Sequence, residues 1–373
     1  MIKKEAGFTL IELMVTMVIF VLAIAAASQM FIGQLTQFKQ QGKIAETNIE
    51  GIIGLELLRR DVAHAGYGLP WNMPNGVNFN YSEAINDAST AHNDTLFNDS
   101  AANPPRAILN GDGIGINGSD VLVIKAVNVA INAAAHRWTR LGDGDDKRNG
   151  LSGDNFANND RVIVISPGNT DANRRTLVNG LFNATYNTTS TFAPADNTET
   201  YIIYGVDDNT NLRMPFNRAD YYIKTPAANF PSQCATGTGI LYKATVNQGD
   251  GGLWELPILD CVADMQVDYQ LDLDPVGAVD GIIDTTTDTL AGYTAEQIRQ
   301  VKEVRVYILA HEGQRSTSYT FTNFTLAACP TCITVGASAV LGQDFDLLAI
   351  ANFQNYRWKV YTIVVKTNNL GGK

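Results

Sequence analysis

Residues 7–27 read GFTLIELMVTMVIFVLAIAAA, and this stretch decides how the N-terminal part of the chain folds. From Phe8 to Ala27 it carries one charge, Glu12, among Leu, Ile, Val, Met, Phe and Ala. A helix of about 20 apolar residues spans the ~30 Å hydrocarbon core of a bilayer. A secretory signal has a shorter apolar region, about 7–15 residues, followed by a small-residue cleavage site. The stretch therefore predicts a transmembrane helix over residues 8–28.

The charges around this helix set its orientation and make Glu12 unusual. Lys3 and Lys4 lie on its short leading side, so the positive-inside rule places the N-terminus in the cytoplasm and the rest of the chain across the membrane. A carboxylate inside a membrane costs about 2.5–3.5 kcal/mol on insertion scales and is usually paired. If the chain were cut between Gly7 and Phe8, the new α-amino group on a neighbouring subunit would give Glu12 its cation.

The sequence GFTLIELMVTMVIF resembles the class III leader of type IV prepilins and pseudopilins. In that family a membrane-bound prepilin peptidase cuts after the glycine, the exposed phenylalanine is N-methylated, and the fifth mature residue is glutamate. Gly7, Phe8 and Glu12 occupy those positions. The resemblance implies a leader peptide over residues 1–7. It also implies that Glu12 meets the methylated Phe8 amine of an adjacent subunit within a bundle of apolar helices.

Helical spacing continues beyond the apolar stretch. An apolar stripe runs between polar residues, at Leu35, Phe38, Ile44, Ile49, Ile52, Ile53, Leu55 and Leu58. Gly66 and Gly68 followed by Pro70 indicate the end of the helix. We therefore predict one continuous helix over residues 8–66. It contains four glycines, Gly33, Gly42, Gly51 and Gly54. These are either tolerated at a cost of up to ~1 kcal/mol each or bend the helix for packing against its neighbours.

The junction LELLRRDVAHAGYGLP, residues 55–70, narrows the resemblance to PilW-like minor pilins. In that family an Arg-Asp pair and an Ala-Gly-aromatic step recur where the first helix ends. The matching residues here are Arg60, Asp61, Ala65, Gly66 and Tyr67. Residues 255–310 and the C-terminal strand are also similar to PilW-like chains, whereas the Asn-rich middle is not.

After Pro70, short β-prone runs alternate with connections rich in Asn, Asp, Gly and Thr. The predicted fold class is α+β and pilin-like: a long N-terminal transmembrane α-helix followed by an antiparallel β-rich globular domain, residues 67–373. A short later helix is predicted at TAEQIRQ. Residues 72–118 and 142–159 read as long Asn/Gly-rich surface insertions.

All four cysteines lie in the part predicted to be extracytoplasmic, where disulfides form: Cys234, Cys261, Cys329 and Cys332. Three connectivities are possible. We favour Cys234 with Cys261 and Cys329 with Cys332, because the second pair is so close in sequence. CPTC is also a spacing found in redox and zinc sites, but it has no second CxxC and no nearby His.

One acidic loop is a weak candidate for calcium binding. It contains clustered oxygen ligands of the kind Ca²⁺ prefers, at Asp272, Asp274, Asp280 and Asp284. The loop does not follow the EF-hand pattern, so a solvated acidic loop is the favoured interpretation. No other cofactor is expected.

Composition and motifs argue against two classes of function. A net charge of −11 with a pI near 4.8 argues against nucleic-acid binding, because no cluster of Lys and Arg offers a phosphate-binding surface. GDGIGING contains a G-x-G-x-x-G spacing, but a strand follows it where a dinucleotide site needs a helix. H-E-x-x-H and G-x-S-x-G are absent from the sequence. We therefore expect no enzymatic activity.

The resemblance implies a minor pilin that helps to start or cap a type IV pilus. Its expected partners are other minor and major pilins, the prepilin peptidase, the inner-membrane assembly machinery and the membrane itself. The chain is expected to be a single-pass inner-membrane protein with a periplasmic globular domain before assembly, and to lie on the pilus or cell surface afterwards. Two alternatives stay open: a J-type pseudopilin of type II secretion, and a membrane-anchored surface adhesin.

Overall fold

A computed structural model of the chain describes residues 9–73, 81–87, 90, 92–99, 104–142, 147–148, 156–168, 170, 173–180, 182–273, 280–326, 328–338 and 340–370. Its α-helices are α1 (Leu10–Ala63) and α2 (Ala295–Ile298). Its strands are β1 (Ile108–Gly111), β2 (Val121–Ala126), β3 (Trp138–Leu141), β4 (Lys147–Arg148), β5 (Arg161–Ser166), β6 (Thr176–Leu177), β7 (Ala184–Thr185), β8 (Tyr201–Asp207), β9 (Asn217–Lys224), β10 (Gly239–Val246), β11 (Leu253–Leu271), β12 (Thr285–Thr287), β13 (Val301–Glu312), β14 (Cys332–Gly336), β15 (Gly342–Asp346) and β16 (Arg357–Lys366).

Helix α1 is 54 residues long, or about 81 Å at 1.5 Å per residue. By length and composition, its stretch Leu10–Ala45 could cross a membrane. The predicted stop signal is present: Gly66 and Gly68 follow the helix with φ of +76° and +64°, a conformation that glycine adopts without strain.

The main sheet is antiparallel throughout, with strand order β1-β2-β9-β10-β11-β13-β16 and β12 beside β11. The predicted fold class, a long apolar N-terminal helix followed by an antiparallel β-sheet domain, is confirmed. A second antiparallel sheet has the order β4-β3-β8-β5-β6, with β7 beside β5, and β14 and β15 form a separate hairpin. The G-x-G-x-x-G stretch lies in the connection from β1 to β2 and leads into a strand, as expected.

Strand β11 changes its partner halfway along. Its first part, to Val262, pairs with β10, and its second part, from Val262, pairs with β13. At this change Cys261 has a φ of +59°, which is uncommon for a residue with a side chain. The Cys234–Cys261 disulfide ties this position to the chain ahead of β10. A second disulfide joins Cys329 to Cys332, so the structure contains the pairing that the sequence analysis favours.

The C-terminal part of α1 packs on the main sheet. Leu58 and Val62 are fully buried in the same apolar core as Leu259 and Val262 of β11. Their burial contributes about 1.5–3 kcal/mol each relative to exposure. This end of the helix is therefore part of the β domain.

Two of the four α1 glycines have a packing role. A Cβ at Gly54 would lie 1.9 Å from the carbonyl oxygen of Ile258, so the helix approaches β11 too closely there for any side chain. At Gly51 a Cβ would lie 3.1 Å from Leu259 Cδ1. At Gly33 and Gly42 it would meet nothing within 4 Å among the described residues. Close contact between helix and strand thus explains Gly54, and neither tolerance nor bending is needed.

The chain ahead of β2 is more buried than predicted. Residues 72–118 read as a surface insertion, yet their described part contains β1 and carries Glu83 and Asp94, which are at most 3% exposed. They face Lys125 on β2 and Arg218 on β9, both 0% exposed. The polar sequence was interpreted as solvent-exposed, whereas its carboxylates neutralise buried cations. Of the other predicted insertion, residues 143–146 and 149–155 lie outside the described residues.

These buried charges are closely paired. Lys125 Nζ lies 2.7 Å from Glu83 Oε2 and 2.6 Å from Asp99 Oδ2. Arg218 donates two hydrogen bonds of 2.7 Å to the two carboxylate oxygens of Asp220. Burying a charge costs several kcal/mol, and a well-formed pair offsets that cost. Removing one partner would leave its counterpart buried and uncompensated.

Three buried carboxyl groups lie on or beside β11, and none has a cation within 4 Å among the described residues; Arg305, farther away, partly offsets the effect of burial on Asp268. Burial raises the pKa of Asp120 to about 8, of Asp264 to about 7 and of Asp268 to about 6. Asp264 accepts a hydrogen bond from Gln266 Nε2 through one oxygen, and its other oxygen is buried without a partner among the described residues. The fold therefore favours the protonated form of these groups.

Gly54→Ala should destabilise the domain by at least about 1–3 kcal/mol, because the new methyl group must displace the β11 backbone. The measurement is the free energy of unfolding of the full chain in detergent. Gly42→Ala is the matched control, since its methyl group meets open space and should stabilise the helix by up to about 1 kcal/mol. Equal behaviour of the two variants would contradict the close-contact explanation.

Asp264→Asn should change how stability depends on pH. The folded-state pKa of Asp264 lies above the unfolded value, so the stability that its protonated form contributes is complete below about pH 4 and is lost as pH rises to about 7. The variant should therefore be more stable than wild type at pH 8, by about 2–4 kcal/mol, and gain nothing near pH 4. Asp280→Asn, at an exposed loop position, is the control. A pH-independent difference for Asp264→Asn would refute this account.

Candidate assembly surface

The N-terminus of α1 is closed by a capping box between Thr9 and Glu12. The Glu12 amide donates to Thr9 Oγ1 at 3.3 Å. In return, Glu12 Oε2 accepts hydrogen bonds from the Thr9 amide and the Thr9 hydroxyl, both at 2.9 Å. A carboxylate three residues into a helix also interacts favourably with the helix dipole. Glu12 therefore has a structural role within its own chain that the sequence analysis missed.

Capping satisfies hydrogen bonds of Glu12 but leaves its charge unmatched. Both groups that donate to its side chain are neutral, and no described cation lies within 4 Å of the carboxylate. The expected partner is the Phe8 amine of a neighbouring subunit, and the cleavage position is Gly7; both residues lie outside the described part of the chain. The geometry shows a carboxylate fixed in position at the tip of the helix.

Most of the rest of α1 is an exposed apolar surface. From the first turn to Phe31 its large apolar side chains are half exposed or more, as Leu10 (77%) and Phe20 (67%) illustrate, and Phe38 further along is 77% exposed. Apolar patches larger than a few hundred Å² mark membrane or protein contacts in folded proteins. Near the β domain the surface continues through Ile52 and Ile53, both exposed, into an open groove of about 730 Å³ between α1 and β11.

An ion pair anchors the helix to the sheet. The Asp61 carboxylate, 2% exposed, contacts Lys243 Nζ of β10 and accepts a 2.7 Å hydrogen bond from the Tyr221 hydroxyl of β9. Burial lowers the pKa of Lys243, and the Asp61 carboxylate opposes that shift. The neighbouring Arg60 is half exposed and lies 3.8 Å from Asp61. Asp61 was identified through the family resemblance, whereas its two partners carry no sequence signal because they are distant along the chain.

The segment that follows α1 is also held in place by contacts with both sheets. The Gly66 amide donates to the carbonyl of Lys125 at 3.0 Å, and Ala65 is fully buried. The Tyr67 ring meets the Tyr204 ring edge-on, with centroids 5.3 Å apart. The junction residues named in the sequence analysis thus join the helix to both sheets.

The acidic loop does not gather its described carboxylates. Asp272, Asp280 and Asp284 are not within ligand distance of one another as a group, and Asp274 lies outside the described residues. Asp272 accepts from the Gly281 amide at 3.0 Å and lies 3.4 Å from Lys302 Nζ. Calcium binding here stays a hypothesis from sequence.

Two other groups of potential metal ligands occur among the described residues. Cys329 and Cys332 come close to Asp346, but their sulfurs are joined in a disulfide. His92 and Asp94 lie near Asp220, whose two oxygens are already occupied by a guanidinium. The disulfide would have to be reduced before the two cysteines could bind a cation.

Comparison with known families gives two matches. Residues 2–28 match the prokaryotic N-terminal methylation motif, and residues 220–369 match the type IV pilus-assembly protein W family (PilW). The first match contains Gly7, Phe8 and Glu12. The second covers Lys243 and Tyr221, the partners of Asp61, together with β10, β11, β13 and β16. The two matches support a pilin function related to the type IV pilus.

One of the solved structures similar to this chain is a type IV-like pilin from Thermus thermophilus. The sequences are 20% identical, the match covers 42% of this chain and 69% of that one, and the TM-score is 0.24. Comparison with curated protein sequences gave no significant match.

Asp61→Asn should destabilise the helix–sheet junction by about 3–5 kcal/mol, because it leaves Lys243 buried without its counter-charge. The free energy of unfolding measures this. The double variant Asp61→Asn with Lys243→Met should recover part of the loss, since neither charge then remains unpaired. Strictly additive losses would show that the two side chains do not act as a pair.

Proposed function

We propose that this chain, which has an N-terminal methylation motif at residues 2–28 and a PilW match over residues 220–369, is a minor pilin that takes part in starting a type IV pilus. The observation that carries the proposal is the charge of Glu12, unmatched among the described residues and fixed at the tip of a helix that is about 81 Å long and exposes an apolar surface over its N-terminal part. Such a helix gains stability when similar helices surround it. The role proposed is structural and non-enzymatic.

The proposed mechanism is lateral packing of helices with a defined stagger. Apolar side chains along α1 give little preference for one vertical position over another, because lipid and neighbouring helices are about equally apolar. A single charge pair in that environment does give a preference, since attraction is strong where the dielectric constant is low. Glu12 paired with the methylated Phe8 amine of an adjacent subunit would fix the stagger between the two helices.

The capping box adds precision to this mechanism. Because Oε2 of Glu12 is held by Thr9, the carboxylate keeps one orientation before any partner arrives. Pre-orienting a binding group reduces the entropy lost on association. The N-terminal cap and the proposed intermolecular contact therefore use the same side chain for two compatible purposes.

The proposed location and partners follow from this role. The N-terminal helix is consistent with membrane anchoring, and we propose that the β domain lies in the periplasm until assembly brings it to the cell surface. Other minor and major pilins, the prepilin peptidase and the inner-membrane machinery are the proposed partners. A J-type pseudopilin would use the same helix, so the proteins that co-purify with the chain distinguish the two roles. A surface adhesin would co-purify with neither set.

Replacing Glu12 tests the charge separately from the cap. Glu12→Gln keeps an oxygen that can accept from the Thr9 amide, but it removes the charge. We expect this variant to be cleaved normally and to lose at least about 90% of its co-purification with other pilins, as one unsatisfied buried cation costs several kcal/mol. Glu12→Val should behave in the same way. Mass spectrometry of the mature N-terminus and of co-purified proteins gives both results.

Thr9→Val is the matched control, because it removes the capping hydroxyl and leaves the Glu12 charge in place. Its co-purification should stay near the wild-type level. The proposal is wrong if Glu12→Gln assembles normally. If Thr9→Val fails as completely as Glu12→Gln, the cap is the determining feature and the charge pair is not.

A further inference from the structure

The ring of His92 is buried, and within the described part of the chain neither of its nitrogens has a hydrogen-bond partner. The side chain is 1% exposed, and the rings of Phe97 and Tyr222 pack edge-on against it, with centroids 5.7 and 4.9 Å away. A buried polar group that lacks a partner costs about 1–3 kcal/mol. The ring is therefore held in place by packing, while its two nitrogens stay available to a ligand.

The Asp94 carboxylate faces this ring with one free oxygen. Nε2 of His92 lies 3.1 Å from Oδ1 of Asp94, yet the two atoms are not aligned as a hydrogen bond, and Oδ1 is buried with no hydrogen-bond partner among the described residues. The other oxygen, Oδ2, accepts hydrogen bonds of 3.0 Å from the Asp87 amide and from the Thr90 hydroxyl. A carboxylate held through one oxygen presents the other in a fixed direction, as carboxylates that bind metals do.

Asp220 of β9 is the third member of this group. One carboxylate oxygen of Asp94, one of Asp220 and a ring nitrogen of His92 all lie within 4.8 Å of one another. Two ligands on opposite sides of a single ion are about 4 Å apart when its bonds are about 2.0–2.2 Å long. Arg218 donates to both oxygens of Asp220 at 2.7 Å, and each oxygen keeps a second lone pair for another partner. One ion could therefore contact all three side chains after a small adjustment.

Asp94 differs from Asp220 in its counter-charge. Asp220 contacts Arg218 at 2.7 Å, whereas no Lys or Arg nitrogen of the described residues lies within 4 Å of the Asp94 carboxylate. Arg218 attracts that carboxylate from farther away, and it donates to the backbone carbonyl of Asp94 at 2.8 Å. The guanidinium is itself compensated by Asp220 and by Glu83, which lies 3.4 Å from it. A cation between His92 and Asp94 would thus meet a carboxylate that has no close Lys or Arg.

We propose that His92, Asp94 and Asp220 bind one divalent transition-metal ion, for which Zn²⁺ is the best match. Imidazole nitrogen favours transition metals over Mg²⁺ and Ca²⁺, and zinc accepts nitrogen together with carboxylate oxygen. The bound ion joins the turn that begins at Asp94 to β9 of the main sheet, so its role is to stabilise the fold. This site does not depend on the proposed pilin role.

The experiment measures the thermal unfolding midpoint of the full chain in a nonionic detergent, after metal has been removed with EDTA and the EDTA by dialysis. Zinc chloride is titrated against magnesium chloride at equal ionic strength, which separates specific binding from general screening. We expect the midpoint to rise saturably with zinc and not with magnesium, and elemental analysis to find a single zinc ion per chain. If zinc gives no rise over magnesium, a protonated His92 beside Asp94 accounts for the geometry and the proposal is overturned.

Three variants locate the effect. His92→Phe keeps a ring between Phe97 and Tyr222 but removes the nitrogen ligand, and Asp94→Asn keeps one oxygen but removes the charge. Each should weaken the apparent zinc affinity by about tenfold or more, and a cooperative transition without zinc checks that each variant folds. His136→Gln is the matched control, since this exposed histidine lies outside the group, and its zinc response should equal that of wild type. A wild-type zinc response in both His92→Phe and Asp94→Asn would overturn the assignment.

Discussion

The close docking of α1 on the main sheet is the constraint on which the rest of the structure depends. Most of the helix is exposed, and among the described residues its contacts with the β domain lie in the C-terminal half, from Gln40, which donates to Ser316, to the last turn. Gly54 lets the helix backbone approach the carbonyl of Ile258, and Asp61 fixes its rotation by contacting Lys243 and Tyr221. The close backbone approach sets the distance between the helix and the sheet, and the directional polar contacts set the angle between them. Because the helix is held at a fixed distance and angle on the sheet, the position of the β domain determines where the far end of the helix lies.

The apolar periodicity, the Gly and Pro residues after the helix and the short β-prone runs were sufficient to predict the helix, its end and an antiparallel β domain. Each of these is a local signal in the sequence. Apolar spacing marks the helix, and Gly66 with Gly68 supplies the positive φ angles that end it. The buried network around Lys125 and Arg218 left no such signal. Polar sequence usually lies in solvent, and only the fold shows that the acidic residues before β2 neutralise cations on the sheet.

The residues of the candidate site also differ in whether a local sequence signal identifies them. Gly7, Phe8 and Glu12 form a motif at fixed short spacing, so the sequence alone could identify it. Capping by Thr9 was also encoded locally, as a polar residue three positions before an acidic one, but the membrane interpretation of the segment obscured it. The partners of Asp61 could not be found from sequence, since Lys243 and Tyr221 are 182 and 160 residues away along the chain.

The buried charges that stabilise this fold have partners of opposite sign, whereas the charge of Glu12 has none among the described residues. Where the described fold buries ionic groups for its own stability, as with Asp61 and Lys243 or Arg218 and Asp220, it supplies the opposite charge at close range. Glu12 is different, because its cap satisfies hydrogen bonds but offers no cation. Uncompensated charge is costly in an apolar setting, and its cost falls when a complementary charge arrives from outside. The tip of the helix is thus hydrogen-bonded within its own chain, while the charge of Glu12 has no counter-charge among the described residues.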